Sequence, residues 1–222
     1  MSSSLPGDGK KPYRMTRIKS TITKEEIQKY PQAEFRGKIH LFQDANIPEW
    51  VIQKLNAQQV VGFDTETRPA FIKGRRNKVS LMQLACEDEC FLFRLKPSGL
   101  APELLSFFAN PRVVKVGLSS KDDFHMLRAS YAEFDPQNVV ELQSYVKQYG
   151  IEEMSLLKIY AILFKERISK SQRLSNWDAE QLNAAQLQYA ALDAWAVRRI
   201  YLHLSGLPSS QNKALITESE TK

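Results

Sequence analysis

Two cysteines and three histidines in 222 residues leave little material for a disulfide scaffold or a zinc site. Cys86 and Cys90 lie in ACEDEC with no second Cys or His pair nearby, so free thiols are expected. Long apolar runs are also missing. No stretch approaches the roughly 20 residues that span a bilayer, and the opening MSSSLPGDGKKPYR lacks the apolar region of a secretory signal. The expected location is the cytosol, or the nucleus in a nucleated cell, with no membrane partner and no secretion. Nor does one sign of charge dominate: 31 Lys+Arg against 25 Asp+Glu leave +6, a modest excess that suits a polyanionic partner and equally suits many enzymes. What is present, 43% apolar and 25% charged residues, is the composition of a soluble globular chain long enough to bury one sizeable core.

Along the chain, residues 1–23 read as a flexible basic arm carrying Lys10, Lys11, Arg14, Arg17 and Lys19, residues 24–207 as a single domain, and 208–222 as a flexible tail. ITKEEIQKYP predicts a short helix capped by Thr23 and ended before Pro31. IHLFQD predicts a short strand and residues 47–56 a helix. VVGFDTET, KVSLMQLA and ECFLFRL predict three strands, the last two joined as a hairpin across the EDE turn. Beyond them, a helix near 102–109, the strand VVKVG, a helix over about 121–130 and the strand NVVEL alternate, which implies parallel pairing. The expected fold class is α/β: a five-stranded mixed sheet, antiparallel in its first three strands and then parallel for two, flanked by helices. From Leu142 onward the chain reads as helical, with Ser155 capping SLLKIYAILF and a long helix AAQLQYAALDAWAVRRIYLHL stopped by Gly206 and Pro208.

Acids in apolar elements are the local conflict to explain, because a buried carboxylate is costly unless compensated. Asp64 and Glu66 sit two apart in VVGFDTET and would share one face of a strand. A divalent cation would hold both ionised; a strand end that lets both reach solvent is the alternative. Asp193 repeats the anomaly inside AALDAWA, with Tyr189 one turn earlier on the same helical face. A third acidic site, Asp122 and Asp123 in KVGLSSKDDFHML, falls in a first helical turn behind Ser119 or Ser120 as cap, where acids are ordinary complements of the helix dipole.

Taken together and in order, FDTET, the Asp that precedes Leu127 by four residues in DFHML, and YAALD resemble the three motifs of the DEDD superfamily of 3'-5' exonucleases, with a ribonuclease H-like fold. The likeness is to the ribonuclease D and Werner-type branch, runs from about Lys38 to Leu204, and includes RLSNWDAEQLNAAQLQYAALDAW before the third motif. It implies Asp64, Glu66, Asp123 and Asp193 as metal-site acids and Tyr189 as the catalytic tyrosine of the DEDDy type, since the position where the other type has His holds Gln188. Asp123 rather than Asp122 is chosen because it places Leu127 at the family's Leu. The helical domains that follow the nuclease in ribonuclease D are not expected here.

The resemblance further implies two Mg2+ or Mn2+ ions, which hard oxygen ligands suit. Asp64 would bridge them, Glu66 and Asp193 would complete the nucleophile side, Asp123 would hold the leaving-group side, and Tyr189 would orient the attacking water. The expected partner is a single-stranded or frayed 3' end of DNA or RNA, with DNA slightly favoured and no obligate protein partner. A catalytically silent nucleic-acid-binding protein on the same fold is the alternative. Lys73, Arg75, Arg76 and Lys78 after the first motif, and Lys165, Arg167, Lys170 and Arg173 before the third, are candidates to track phosphates or are solvated charged loops. Phe71, Leu81 or Met82 could wedge a terminal base or pack in the core, and His40, His125 and His203 read as surface or packing residues.

Overall fold

The computed structural model describes residues 18–70, 77–96 and 99–207. Six strands form one sheet in the order β1-β4-β3-β2-β5-β6: β1 (Lys38–Phe42), β2 (Val60–Thr67), β3 (Val79–Ala85), β4 (Glu89–Arg94), β5 (Val114–Gly117) and β6 (Val139–Glu141). The meander β2-β3-β4 is antiparallel, and β5 and β6 extend it in parallel beyond β2, as the alternation of strands and helices predicts. The correction is the strand count. IHLFQD forms β1 and joins the sheet edge parallel to β4, so the sheet has six strands rather than five. Its attachment is aromatic: His40 stacks on Phe91 and Phe42 on Phe93, at 5.1 and 5.2 Å between ring centroids.

Strand pleat divides the core in two. On one face Leu81, Ala85, Cys90 and Leu92 meet α1 (Lys24–Gln28), α5 (Leu142–Lys147), α6 (Leu156–Phe164) and the 22-residue α7 (Ala184–Ser205). On the other, Phe63, Met82, Leu84, Phe91 and Phe93 meet α2 (Glu49–Asn56), α3 (Pro102–Ala109) and α4 (Ser120–Ser130). Leu81 and Met82 are fully buried, one in each core, so neither is a base wedge. Phe71 lies outside the described residues. Cys86 and Cys90 are free and buried, as expected.

Thr23 caps α1, its Oγ1 accepting from the Glu26 amide at 3.2 Å. Ser119, Ser120 and Ser155 do not cap as expected. Ser155 makes no capping bond. At α4 the first residues are held by Glu141 from the end of β6, whose carboxylate accepts from both the Ser119 and Ser120 amides and from the Ser120 hydroxyl. Residues 165–183, expected to continue the helical half, are instead an irregular connection. It is tied down by Ala33 N–H to Arg167 C=O, Arg167 N–H to Pro31 C=O, and the Arg94 guanidinium donating to the carbonyls of Ala179 and Glu180. The chain here is polar and lacks a helical apolar stripe, so tertiary bonds decide its path. Of the basic arm, 1–17 lies outside the described residues; Ile22 is buried, and Glu152 N–H donates to Ser20 C=O. The tail 208–222 is likewise outside them. Among the described residues no helix is long and apolar enough to cross a membrane.

Candidate metal centre

Alternation in β2 decides which acids meet. Residues 60, 62, 64 and 66 share the α7 side, while Val61, Phe63 and Thr65 face the opposite core and α4. A register shift between Glu66 and Thr67 ends the regular pairing with β3 at the end of the motif. Helix α7 lies directly on β2, because Gly62 offers no Cβ at the point where the Ala194 carbonyl comes down on it. Asn183 starts the helix with a reciprocal capping box with Gln186. Arg198 Nε donates to the Val60 carbonyl at 3.0 Å, and Trp195 Nε1 and Gln188 Nε2 pin the outer faces of α7 to the carbonyls of Glu87 and Phe35.

The result is that Asp64, Glu66 and Asp193, from elements some 130 residues apart, each place a carboxylate oxygen within 4.8 Å of the others. Glu66 and Asp193 are both 8% exposed. Burial first, and then mutual repulsion, makes the charged forms unfavourable. The Asp64 carboxyl is pushed well above the usual range by burial and by Glu66, Asp193 and Asp123, and Glu66 is raised to about 9 by burial, Asp193 and Asp123. Asp193 is raised to about 7 by burial, against a downward pull from the Tyr189 phenol beside it. Tyr189 itself is pushed up by burial and by the Asp193 and Glu66 carboxylates, and its ring lies 6.1 Å from the buried Trp177 indole.

Asp123 stands beside this cluster on α4, outside the group of three. It accepts from the Thr65 hydroxyl at 2.5 Å, and burial raises its carboxyl to about 6. Asp122 is exposed and lines a separate surface cleft with Arg68 and His125. The geometry thus distinguishes the two neighbours: Asp123→Asn is expected to weaken any divalent-cation response and Asp122→Asn to leave it unchanged, as read by titrating melting temperature with Mg2+. An equal loss in both would contradict that distinction.

A cation fits this donor set. All the ligand atoms are hard carboxylate oxygens, and Asp193 Oδ1 is buried without a hydrogen-bond partner among the described residues. The proton balance gives a second expectation. Because Asp123, Asp193 and Glu66 hold protons more readily folded than unfolded, their contribution to metal-free stability is full below about pH 4 and declines as pH rises through about 6, 7 and 9. Melting temperature in EDTA is therefore expected to fall across this window. Mg2+ or Mn2+ should restore it, and more at the alkaline end. A melting temperature indifferent to both pH and divalent cation would show that these acids do not form such a centre.

Three supports were not read from the sequence. Thr65 could have been found, since strand alternation turns it away from Asp64 and Glu66 toward whatever packs on the other face. Glu141 carried no local signal. Nor did the network in which Ser80 Oγ and Lys96 Nζ donate to Asp178, at 2.6 and 2.9 Å, fixing the segment that leads from Trp177 into α7. Of the basic residues, Lys78, Lys170 and Arg173 are exposed, whereas Lys73, Arg75 and Arg76 lie outside the described residues. Arg167 donates to the Tyr30 carbonyl, and Lys165 donates to the Ile162 carbonyl and sits over the Tyr30 ring. These two are engaged in packing the chain rather than held free for phosphate. His40 pairs with Glu89, and His203 packs edge-on against Phe164.

A mixed sheet with helices on both faces and converging acids from its central strand and last helix defines a ribonuclease H-like nuclease fold. The family profile described as 3'-5' exonuclease matches residues 39–207, and the chain belongs to this family. It is 28% identical over 223 residues to the mouse (Mus musculus) bifunctional 3'-5' exonuclease/ATP-dependent helicase WRN, covering 92% of this chain and 15% of that protein. Among solved structures, the Nibbler EXO domain of Aedes aegypti superposes with a TM-score of 0.67 at 24% identity, covering 83% of this chain and 99% of that one. Brucella melitensis NrnC with bound Mg2+ superposes with a TM-score of 0.61 at 21% identity, covering 80% and 88%.

Proposed function

We propose that the chain is a divalent-metal-dependent 3'-5' exonuclease that releases 5'-mononucleotides from a single-stranded or frayed 3' end. The observation that carries this reading is the convergence of Asp64, Glu66 and Asp193 within 4.8 Å, with a buried oxygen on Asp193 that has no hydrogen-bond partner among the described residues and Tyr189 one turn before it. Asp64, Glu66 and Asp193 would hold the cation site, with Asp123 completing a second position beside it; the Mg2+ in the NrnC structure supports the choice of metal. Bound Mg2+ or Mn2+ supplies a lowered pKa for the attacking water and charge stabilisation for the departing 3' oxygen.

The residues of the chain supply position. Tyr189 stays protonated, since burial and the carboxylates push its phenol upward. It therefore orients the attacking water by hydrogen bonding and does not remove its proton. Thr65 holds Asp123, and Glu141 holds the helix that carries it. Lys78, Lys170 and Arg173, with Lys73, Arg75 and Arg76, track the backbone phosphates of the incoming strand. DNA is slightly favoured over RNA, as the resemblance to the Werner-type branch implies.

Matched DNA and RNA oligonucleotides, digested beside nucleoside monophosphate esters in Mg2+ and in Mn2+, test the substrate class. Faster turnover of DNA oligonucleotides is expected. Preferential hydrolysis of the small esters would replace this reading with that of a small-nucleotide phosphohydrolase.

A further inference from the structure

Gln83 lies in the middle of β3, fully buried between Leu81 and Ala85 of the α7-side core, and neither end of its amide has a hydrogen-bond partner among the described residues. Buried amides are ordinarily paired, and a core position needing only volume is met by an apolar residue, as at neighbouring Met82. The register supplies the missing context. Gln83 stands directly opposite Asp64 across the antiparallel β2–β3 pair, and residues so placed project to the same face with Cβ atoms about 4.5–5.5 Å apart. The same face lies under α7, whose Asp193 Oδ1 is likewise buried without a hydrogen-bond partner among the described residues.

An amide suits this position for a chemical reason. Its N–H2 restrains a carboxylate and its C=O accepts from water, while it brings no charge. A lysine there would compete with a cation for the carboxylates, and a fourth close acid would add to their repulsion. We propose that Gln83 is a positioning residue of the metal centre, its amide hydrogen bonding to the Asp64 carboxylate, directly or through one ordered water, when that carboxylate holds a divalent cation. The inference rests on the metal-centre reading above. It adds to that reading a neutral side chain from β3, where none of the three motifs lies. Outer partners that orient ligating carboxylates typically change metal affinity about 10–100-fold.

Thermal melts of wild type, Gln83→Met and Gln83→Leu, titrated with MgCl2 or MnCl2 without substrate, test it. Met keeps the length and unbranched shape of Gln, so the fold is retained. Both variants are expected to keep a metal-free melting temperature at or above wild type while the half-saturating Mg2+ concentration rises about 10–100-fold. KM for an oligonucleotide should be unchanged at saturating metal. Variants that titrate at the wild-type metal concentration, whatever their metal-free stability, would make Gln83 a structural residue and leave the metal centre standing. A wild type that does not respond to either metal would overturn the metal centre and this role together.

Discussion

Asp64→Asn and Asp193→Asn are each expected to lower exonuclease turnover by about 10^3-fold or more, because a cation held by hard carboxylates contributes several kcal/mol to transition-state stabilisation and each 1.4 kcal/mol is about tenfold in rate. Asn keeps the volume and most of the shape of Asp, so the loss reports charge and not collapse. The accompanying stability change separates the two. Burial is the largest cause of the raised pKa of both carboxyls, and Asp64 is raised further by Glu66, Asp193 and Asp123. At alkaline pH, where the metal-free cluster is ionised, removing one negative charge should raise the melting temperature in EDTA, while the stabilisation by added Mg2+ is lost. A melt combined with a turnover assay reads both. A variant that is inactive because it is less stable in EDTA would contradict the electrostatic account of the site.

Gly62→Ala should damage stability and activity together. A Cβ at position 62 would stand 1.9 Å from the Ala194 carbonyl oxygen, which is backbone in mid-helix and has no rotamer to yield. Helix α7 must lift from β2, straining the Arg198 bond to the Val60 carbonyl. Overpacking of this kind costs about 3 kcal/mol, equivalent in a chain of this size to a fall in melting temperature of roughly 6–12 °C. Because the same helix carries Tyr189 and Asp193 against Asp64 and Glu66, a displacement near 1 Å is also expected to lower turnover about 100-fold even at temperatures where the protein is folded. A Gly62→Ala protein with wild-type melting temperature and turnover would show that the approach of α7 to β2 does not set the site.

How far the fold is legible depends on how local each signal is. The period-two pattern of VVGFDTET and the acid among alanines in AALDAWA each carry their message within a few residues, and the structure brings those acids together. The meander and the parallel extension follow from strand and helix alternation. The edge position of β1 does not, because its partner β4 lies some 50 residues away and nothing in IHLFQD names it. Capping by Glu141 in place of Ser119 or Ser120 is hidden for the same reason: the acceptor arrives from another strand. Charge alone is likewise ambiguous. Lys165 and Arg167 look as basic as Lys170 and Arg173 in KERISKSQR, yet the first pair is spent on Tyr30 and neighbouring carbonyls. Gln83 shows the converse, a polar residue whose strand reads as plain core until its register with Asp64 is known.

The most direct test is digestion of a single-stranded oligonucleotide labelled at its 5' end, with Mg2+ or Mn2+ and with EDTA. The account predicts a ladder that shortens one nucleotide at a time from the 3' end, released as 5'-mononucleotides, present with metal and absent with EDTA. An undegraded substrate in both metals, internal cuts, or digestion that persists in EDTA would contradict it.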